Sequence, residues 1–128
     1  MRYGSDLPYK SNMVSSIIPE YFNFILDRLV EKNLVKTRPA SVTINEYFEG
    51  QKISAHIDSK ESGQIITVLS LLSETKMIFS KRKEKLNYTV PLPAKSLMQI
   101  SGEIRDSWEH STEPAIDLRY SIVFRCAD

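Results

Sequence analysis

Cysteine is almost absent: Cys126 is the only one in 128 residues. No internal disulfide can form, so the fold must rest on burial and hydrogen bonding, and this cysteine usage suits a reducing compartment. An excess of charge of one sign is missing too, because 17 basic and 16 acidic side chains leave a formal charge of +1. No overall field would pull the chain onto nucleic acid or an anionic membrane, so charge neither names a partner nor excludes one. There is no long apolar run approaching the roughly 18 residues of a membrane span, and the start Met-Arg-Tyr-Gly-Ser-Asp has no apolar signal core. These absences lead us to expect a soluble intracellular protein, in cytoplasm or nucleus. Histidine is scarce as well, limited to His56 and His110, which makes the company each keeps informative.

What is present can fill one core: 41% of residues are hydrophobic, sufficient for a single domain at this length. We expect one domain over residues 1–128, with residues 1–40 forming an N-terminal segment and a helix and residues 41–128 a β-core. The pattern changes near Pro39. Over residues 17–32, Phe22, Ile25, Leu26, Leu29 and Val30 recur at helical spacing, with Ser16 available as a cap and Pro19 in the first turn. This predicts an amphipathic helix whose apolar stripe waits for a sheet to cover it. From Ser41 onward, short stretches rich in β-branched and aromatic residues recur between turn signals: SVTINEYF, ISAHID, QIITVLSLL, TKMIFSK, NYTVPL, SLMQIS and LRYSIVFR. Seven or eight short strands after one helix fit an antiparallel, double-sheet jelly roll better than a parallel sheet. The expected fold is therefore mainly β, a double-stranded β-helix buttressed by a helix.

A strand alternates its side chains, so in Ile53-Ser54-Ala55-His56-Ile57-Asp58 the residues Ser54, His56 and Asp58 would share one face and Ile53, Ala55 and Ile57 the other. An imidazole and a carboxylate two positions apart can reach one metal, with a third ligand arriving from elsewhere; His110 is the available candidate. The H-x-D pattern is short and common on its own, and a lone histidine is usually a satisfied surface or core residue. The last strand adds weight. Leu118, Tyr120, Ile122 and Phe124 would face one way, and Arg119, Ser121, Val123 and Arg125 the other, where two arginines either meet solvent or line a cup that binds carboxylates through bidentate forks. In the same manner Val42 and Ile44 oppose Thr43, Asn45 and Tyr47, so two strands would offer donors to one cavity.

Asn45-x-Tyr47, His56-x-Asp58, His110 and Arg119-x5-Arg125 occur in this order along the chain. In that order, and in the connecting text INEYFEGQKISAHID, VLSLLSETKMIF, PLPAKSLMQISGEIRDSWEH and RYSIVFR, the sequence resembles the AlkB-type Fe(II) and 2-oxoglutarate dependent dioxygenases. The resemblance covers nearly all of the chain from Ser41, and more loosely the Tyr3-Gly4 segment and the helix. It implies Fe(II) held by His56, Asp58 and His110, with 2-oxoglutarate and molecular oxygen as co-substrates. It also implies Arg119 on the far carboxylate of 2-oxoglutarate, Asn45 and Tyr47 as hydrogen-bonding helpers, and Arg125 near the 1-carboxylate and Asp58. The implied chemistry is hydroxylation, or demethylation where the hydroxylated carbon is an N-methyl group, with release of succinate and carbon dioxide.

The substrate such a resemblance points to first is a modified nucleobase in RNA or single-stranded DNA, unstacked to reach the iron. Direct-repair members tend to place an acid two positions after the metal aspartate; here Lys60 stands there and Glu61 comes one later. HIDSKESG is more similar to the branch with the tRNA wobble-uridine hydroxylase and several protein-directed relatives, so a protein side chain is the alternative substrate. A catalytically silent jelly-roll binding module is the alternative of another class, and retention of all three ligands and both arginines argues against it. Tyr3, Tyr9 and Trp108 could stack on a base, although such residues more often pack. Lys81, Arg82, Lys83 and Lys85 form a basic hairpin tip that could touch phosphates, although such tips are normally just solvated.

Overall fold

The computed structural model describes residues 1–4 and 13–126; Tyr9 lies outside the described residues. Two short strands, β1 (Arg2–Gly4) and β2 (Met13–Ser15), precede a 3₁₀ turn at Glu20–Phe22 and helix α1 (Asn23–Glu31). Then follow β3 (Ser41–Tyr47), β4 (Ile66–Leu71), β5 (Thr75–Lys81), β6 (Leu86–Leu92), β7 (Ser96–Ile100), a short helix α2 (Gly102–Ser107), β8 (Glu109–Thr112) and β9 (Arg119–Arg125). Seven strands thus follow α1, as the alternating pattern predicts. The region before Pro39 is not only helical, since β1 pairs antiparallel with β3 and extends the sheet. Gly4 explains how: at φ +109° it lies so close to Ala40 and Ser41 that a Cβ would collide with the Ala40 carbonyl.

The helix is shorter than the apolar spacing suggests. Pro19 holds an extended ψ of 144°, so helical geometry begins only after it, and no side chain caps either helical start. Ser16 is therefore not a cap. Phe22, Leu26 and Leu29 are buried and Ile25 is half-buried, whereas Val30 turns partly to solvent.

The strands form a six-stranded sheet in the order β2-β1-β3-β9-β4-β7 and a three-stranded sheet in the order β6-β5-β8. Two apolar clusters show how the layers pack. Ile66, Val68, Ile100 and Val123 of the large sheet meet Met77, Phe79 and Leu92 of the small one, with Trp108, which makes the core of a double-sheet jelly roll. On the outer face of the large sheet Val42, Ile44, Ile122 and Phe124 pack against Phe22, Leu26 and Leu29, so α1 is the expected buttress. Alternation along β9 decides this division: Val123 enters the inter-sheet core while its neighbours Ile122 and Phe124 face the helix. Among the described residues no helix is long and apolar enough to cross a membrane.

Candidate metal centre and co-substrate cavity

Residues 53–58 do not form the strand that their sequence suggests. His56 makes one isolated antiparallel bridge with His110, in which each backbone N–H donates to the other residue's carbonyl, at 3.1 and 2.9 Å. The strict two-face alternation fails accordingly, because Ile53 lines the same cavity as His56 and Asp58. A single bridge fixes the height of His56 against β8 and leaves the next residues free to turn Asp58 inward. Its side chain is only 6% exposed, against 43% for that of His56.

The outcome is nonetheless the predicted trio. His56 Nε2 lies 3.0 Å and His110 Nε2 3.7 Å from the same Asp58 Oδ1, and the rings of the histidines stand 4.4 Å apart. One ligand atom from each of the three falls within 4.8 Å of the others. Two imidazole nitrogens and one carboxylate oxygen suit a borderline divalent ion and leave coordination positions open, the donor set of non-haem Fe(II) oxygenases. The Nδ1 of His56 contacts the Ser54 carbonyl at 2.8 Å, the kind of contact that turns the other nitrogen toward a metal.

Electrostatics separate the three groups. Burial alone would raise the Asp58 carboxyl, but the hydrogen bond with His56 and the nearby Arg125, His110 and His56 outweigh it and hold the group well below the usual carboxylate range. The hydrogen bond with Asp58 raises His56 above the ordinary imidazole value, although burial opposes it. Burial, reinforced by the charge of His56, pushes His110 down to about 4. In the metal-free protein any proton on the pair therefore belongs to His56, while the buried ring of His110 is neutral.

These residues open on a cavity of about 290 Å³ between the sheets. Thr43, Asn45 and Tyr47 line it from β3, on the face opposite Val42 and Ile44, as the alternation predicts. Arg125 reaches it from β9, donating to Asp58 Oδ2 at 3.2 Å and to Thr43 Oγ1 at 3.1 Å. The Asn45 amide donates to Ser121 Oγ at 3.2 Å. Arg119 is 2% exposed and stands behind Tyr47, its guanidinium 5.2 Å from the centre of that ring, donating to Ser70 Oγ at 3.0 Å. Burial raises the Tyr47 phenol, offset in part by Ser121 and Arg119, and burial lowers Arg119. The Nε of Arg119 is buried without a hydrogen-bond acceptor. Arg119 does not itself line the cavity, but a buried guanidinium with no carboxylate partner among the described residues and with a spare donor suits an anionic ligand.

Several contributors escape sequence reading. Ser70 is a short hydroxyl residue whose role depends on a strand distant in the chain. Ser121, by contrast, sits between Arg119 and Arg125 on the polar face and is visible from alternation. Arg105 carried no signal: it lies in the polar stretch Gly102–Ser107, yet it is 3% exposed and bonded to the loop that bears Asp58. Of the possible base-stacking residues, Tyr3 and Trp108 are core, at 8% and 5% exposure. At the basic hairpin tip Lys81 pairs with Glu84 and Glu103, and Arg82 with Glu109.

A jelly roll that gathers two imidazoles and a carboxylate at one end of its inter-sheet cavity has the architecture of a non-haem iron oxygenase. Comparison with known proteins makes this specific. Residues 1–125 match the profile of the 2OG-Fe(II) oxygenase superfamily. The chain is 36% identical over 120 residues to the Mus musculus tRNA (carboxymethyluridine(34)-5-O)-methyltransferase ALKBH8, covering 88% of this chain and 18% of that protein. It is 31% identical over 111 residues to the uncharacterized protein L905 of Acanthamoeba polyphaga mimivirus, covering 84% of this chain and 52% of that protein. To the Arabidopsis thaliana RNA demethylase ALKBH9B it is 28% identical over 120 residues, 87% of this chain and 24% of that one. The solved structure of OsALKBH1 superposes with a TM-score of 0.64 at 18% identity, over 88% of this chain and 66% of that chain, a likeness of fold. The chain belongs to the 2OG-Fe(II) oxygenase superfamily, as an AlkB-like member. Membership brings Fe(II), 2-oxoglutarate and molecular oxygen as cofactor and co-substrates. The chain spans about a fifth of the length of the mouse relative.

Proposed function

We propose that the protein is an Fe(II) and 2-oxoglutarate dependent dioxygenase that hydroxylates, or oxidatively demethylates, a modified nucleobase in RNA. The convergence of His56, Asp58 and His110 on one point of a cavity that Thr43, Asn45, Tyr47 and Arg125 also line carries this reading. His56, Asp58 and His110 would hold the metal. Bound iron supplies the oxidation of a C–H bond coupled to conversion of 2-oxoglutarate to succinate and carbon dioxide. Arg125 fixes the second oxygen of Asp58, which leaves Oδ1 directed at the two imidazoles. Arg119, with its spare buried Nε, would take the far carboxylate of 2-oxoglutarate, and Asn45 and Tyr47 would support it from β3. The choice of RNA rests on the two relatives whose names specify a tRNA methyltransferase and an RNA demethylase.

The test is to load the protein with iron anaerobically, add 2-oxoglutarate and oxygen with methylated oligonucleotides or bulk tRNA, and follow succinate and nucleoside masses together. Methyl loss or oxygen gain on a nucleoside is the expected result. Succinate with no nucleoside change moves the substrate to protein side chains, and no succinate from verified iron-loaded protein makes the chain a binding module.

A further inference from the structure

Arg105 is 3% exposed, and every hydrogen bond of its guanidinium goes to a backbone carbonyl. Nη1 donates to the carbonyl of Asp58 at 2.9 Å, and Nη2 to that of Ser59 at 2.7 Å. Nε and Nη2 both donate to the carbonyl of Gly63, at 3.0 and 2.8 Å. The three acceptors belong to one segment, which runs from Asp58 through a 3₁₀ turn at Lys60–Ser62 to Gly63 at φ +90°. That segment has no strand partner of its own. A buried cation is costly unless its donors are satisfied. Here a single planar fork ties down the loop that begins at Asp58.

We infer that Arg105 is a positioning residue for the metal site, holding the 58–63 segment so that Asp58 Oδ1 faces the Nε2 atoms of both His56 and His110. The inference rests on the proposed metal-binding role of those three residues. The trio is fixed from two sides. The His56–His110 bridge sets the two rings against each other, and Arg105, on α2 just before β8, sets the carboxylate that follows His56. Arg125 reaches only the far oxygen of that carboxylate, and from a different strand. A lysine at position 105 would keep the charge and much of the length, but one ammonium cannot span carbonyls that a planar fork reaches in three directions.

The test compares wild type, Arg105→Lys and Leu26→Ala, a core substitution on the helix far from the site. Mn(II) affinity by calorimetry, the visible spectrum of the Co(II) form and thermal unfolding of the metal-free protein are measured for each. Arg105→Lys should weaken Mn(II) binding roughly 10- to 100-fold, the usual effect of losing a group that orients a ligand, and should alter the Co(II) spectrum. Leu26→Ala should lose at least as much thermal stability with affinity and spectrum unchanged. Arg105→Lys that binds Mn(II) like wild type overturns the inference, and so does an affinity loss that Leu26→Ala reproduces. Wild type that binds no Mn(II) overturns the proposed site as well. Should Arg105→Lys not fold, wild type alone decides: a protected Arg105 Nε–H resonance that shifts on Zn(II) addition supports the role, and a freely exchanging one overturns it.

Discussion

His56 and His110, on separate segments of the chain, exchange backbone hydrogen bonds of 3.1 and 2.9 Å, which brings their rings 4.4 Å apart on one side of Asp58. The two proposed ligands nevertheless differ in setting, since the His110 side chain is 9% exposed and that of His56 43%. Alanine at either position should abolish Mn(II) binding. His110→Ala should also destabilise the metal-free fold more than His56→Ala does, by about 1–2 kcal/mol for a partly filled cavity beside Phe79. Calorimetric metal titration with chemical denaturation checks this, and equal stability losses at both positions would contradict it.

Arg119→Ala should raise the 2-oxoglutarate requirement roughly 10- to 100-fold, as expected for loss of a charge-assisted carboxylate contact of about 1.5–3 kcal/mol. Metal affinity should change little, because Arg119 touches Ser70 and Tyr47 and none of the three proposed ligands. Titrating 2-oxoglutarate into the Mn(II)-loaded variant under anaerobic conditions measures both, and unchanged co-substrate affinity would remove Arg119 from the site.

Protons compete with metal mainly at His56. Its contact with Asp58 raises it, while His110 is pushed down to about 4 and needs no deprotonation near neutral pH. In the metal-free protein this contact stabilises the fold fully below the unfolded imidazole value of about 6.5, and that stability fades as pH rises through the higher folded value. Metal affinity runs in the opposite sense, falling as pH drops through the raised value of His56. Buffer-dependent calorimetry should show up to one proton released per Mn(II) at neutral pH; release that persists in a His56→Gln variant retaining residual binding would assign it elsewhere.

Trp108 packs with Phe79, Ile100 and Val123 and is 5% exposed, so it serves the core. Trp108→Ala should cost about 3–5 kcal/mol of stability. The result to watch for is a folded variant of near wild-type stability that binds oligonucleotide poorly, which would restore Trp108 as a base-stacking residue.

The order of chemically distinctive residues determined the most. Asn45, Tyr47, Arg119 and Arg125 were legible because period-two alternation separates polar from apolar faces on β3 and β9, where long, regular pairing preserves it, and His56, Asp58 and His110 because histidine is scarce and the H-x-D spacing stands out. Alternation failed at residues 53–58, where a single β-bridge at His56 replaces a strand, so Ile53 joined the cavity instead of opposing it. Local pattern also missed β1, whose three residues carry too little periodicity and whose place depends on Gly4 fitting against Ala40.

The amino-acid sequence by itself determined the double-sheet architecture, the helical buttress and the identity of the polar residues facing inward, because these follow from periodicity along single elements. Only the tertiary structure decided which carbonyls Arg105 would hold, that Arg119 would stand behind Tyr47, and that a hydrogen-bonded pair of histidines would meet one carboxylate oxygen. Those relations join segments far apart in the chain. They depend on how two sheets and one irregular loop close on each other, which no pattern within a single strand encodes.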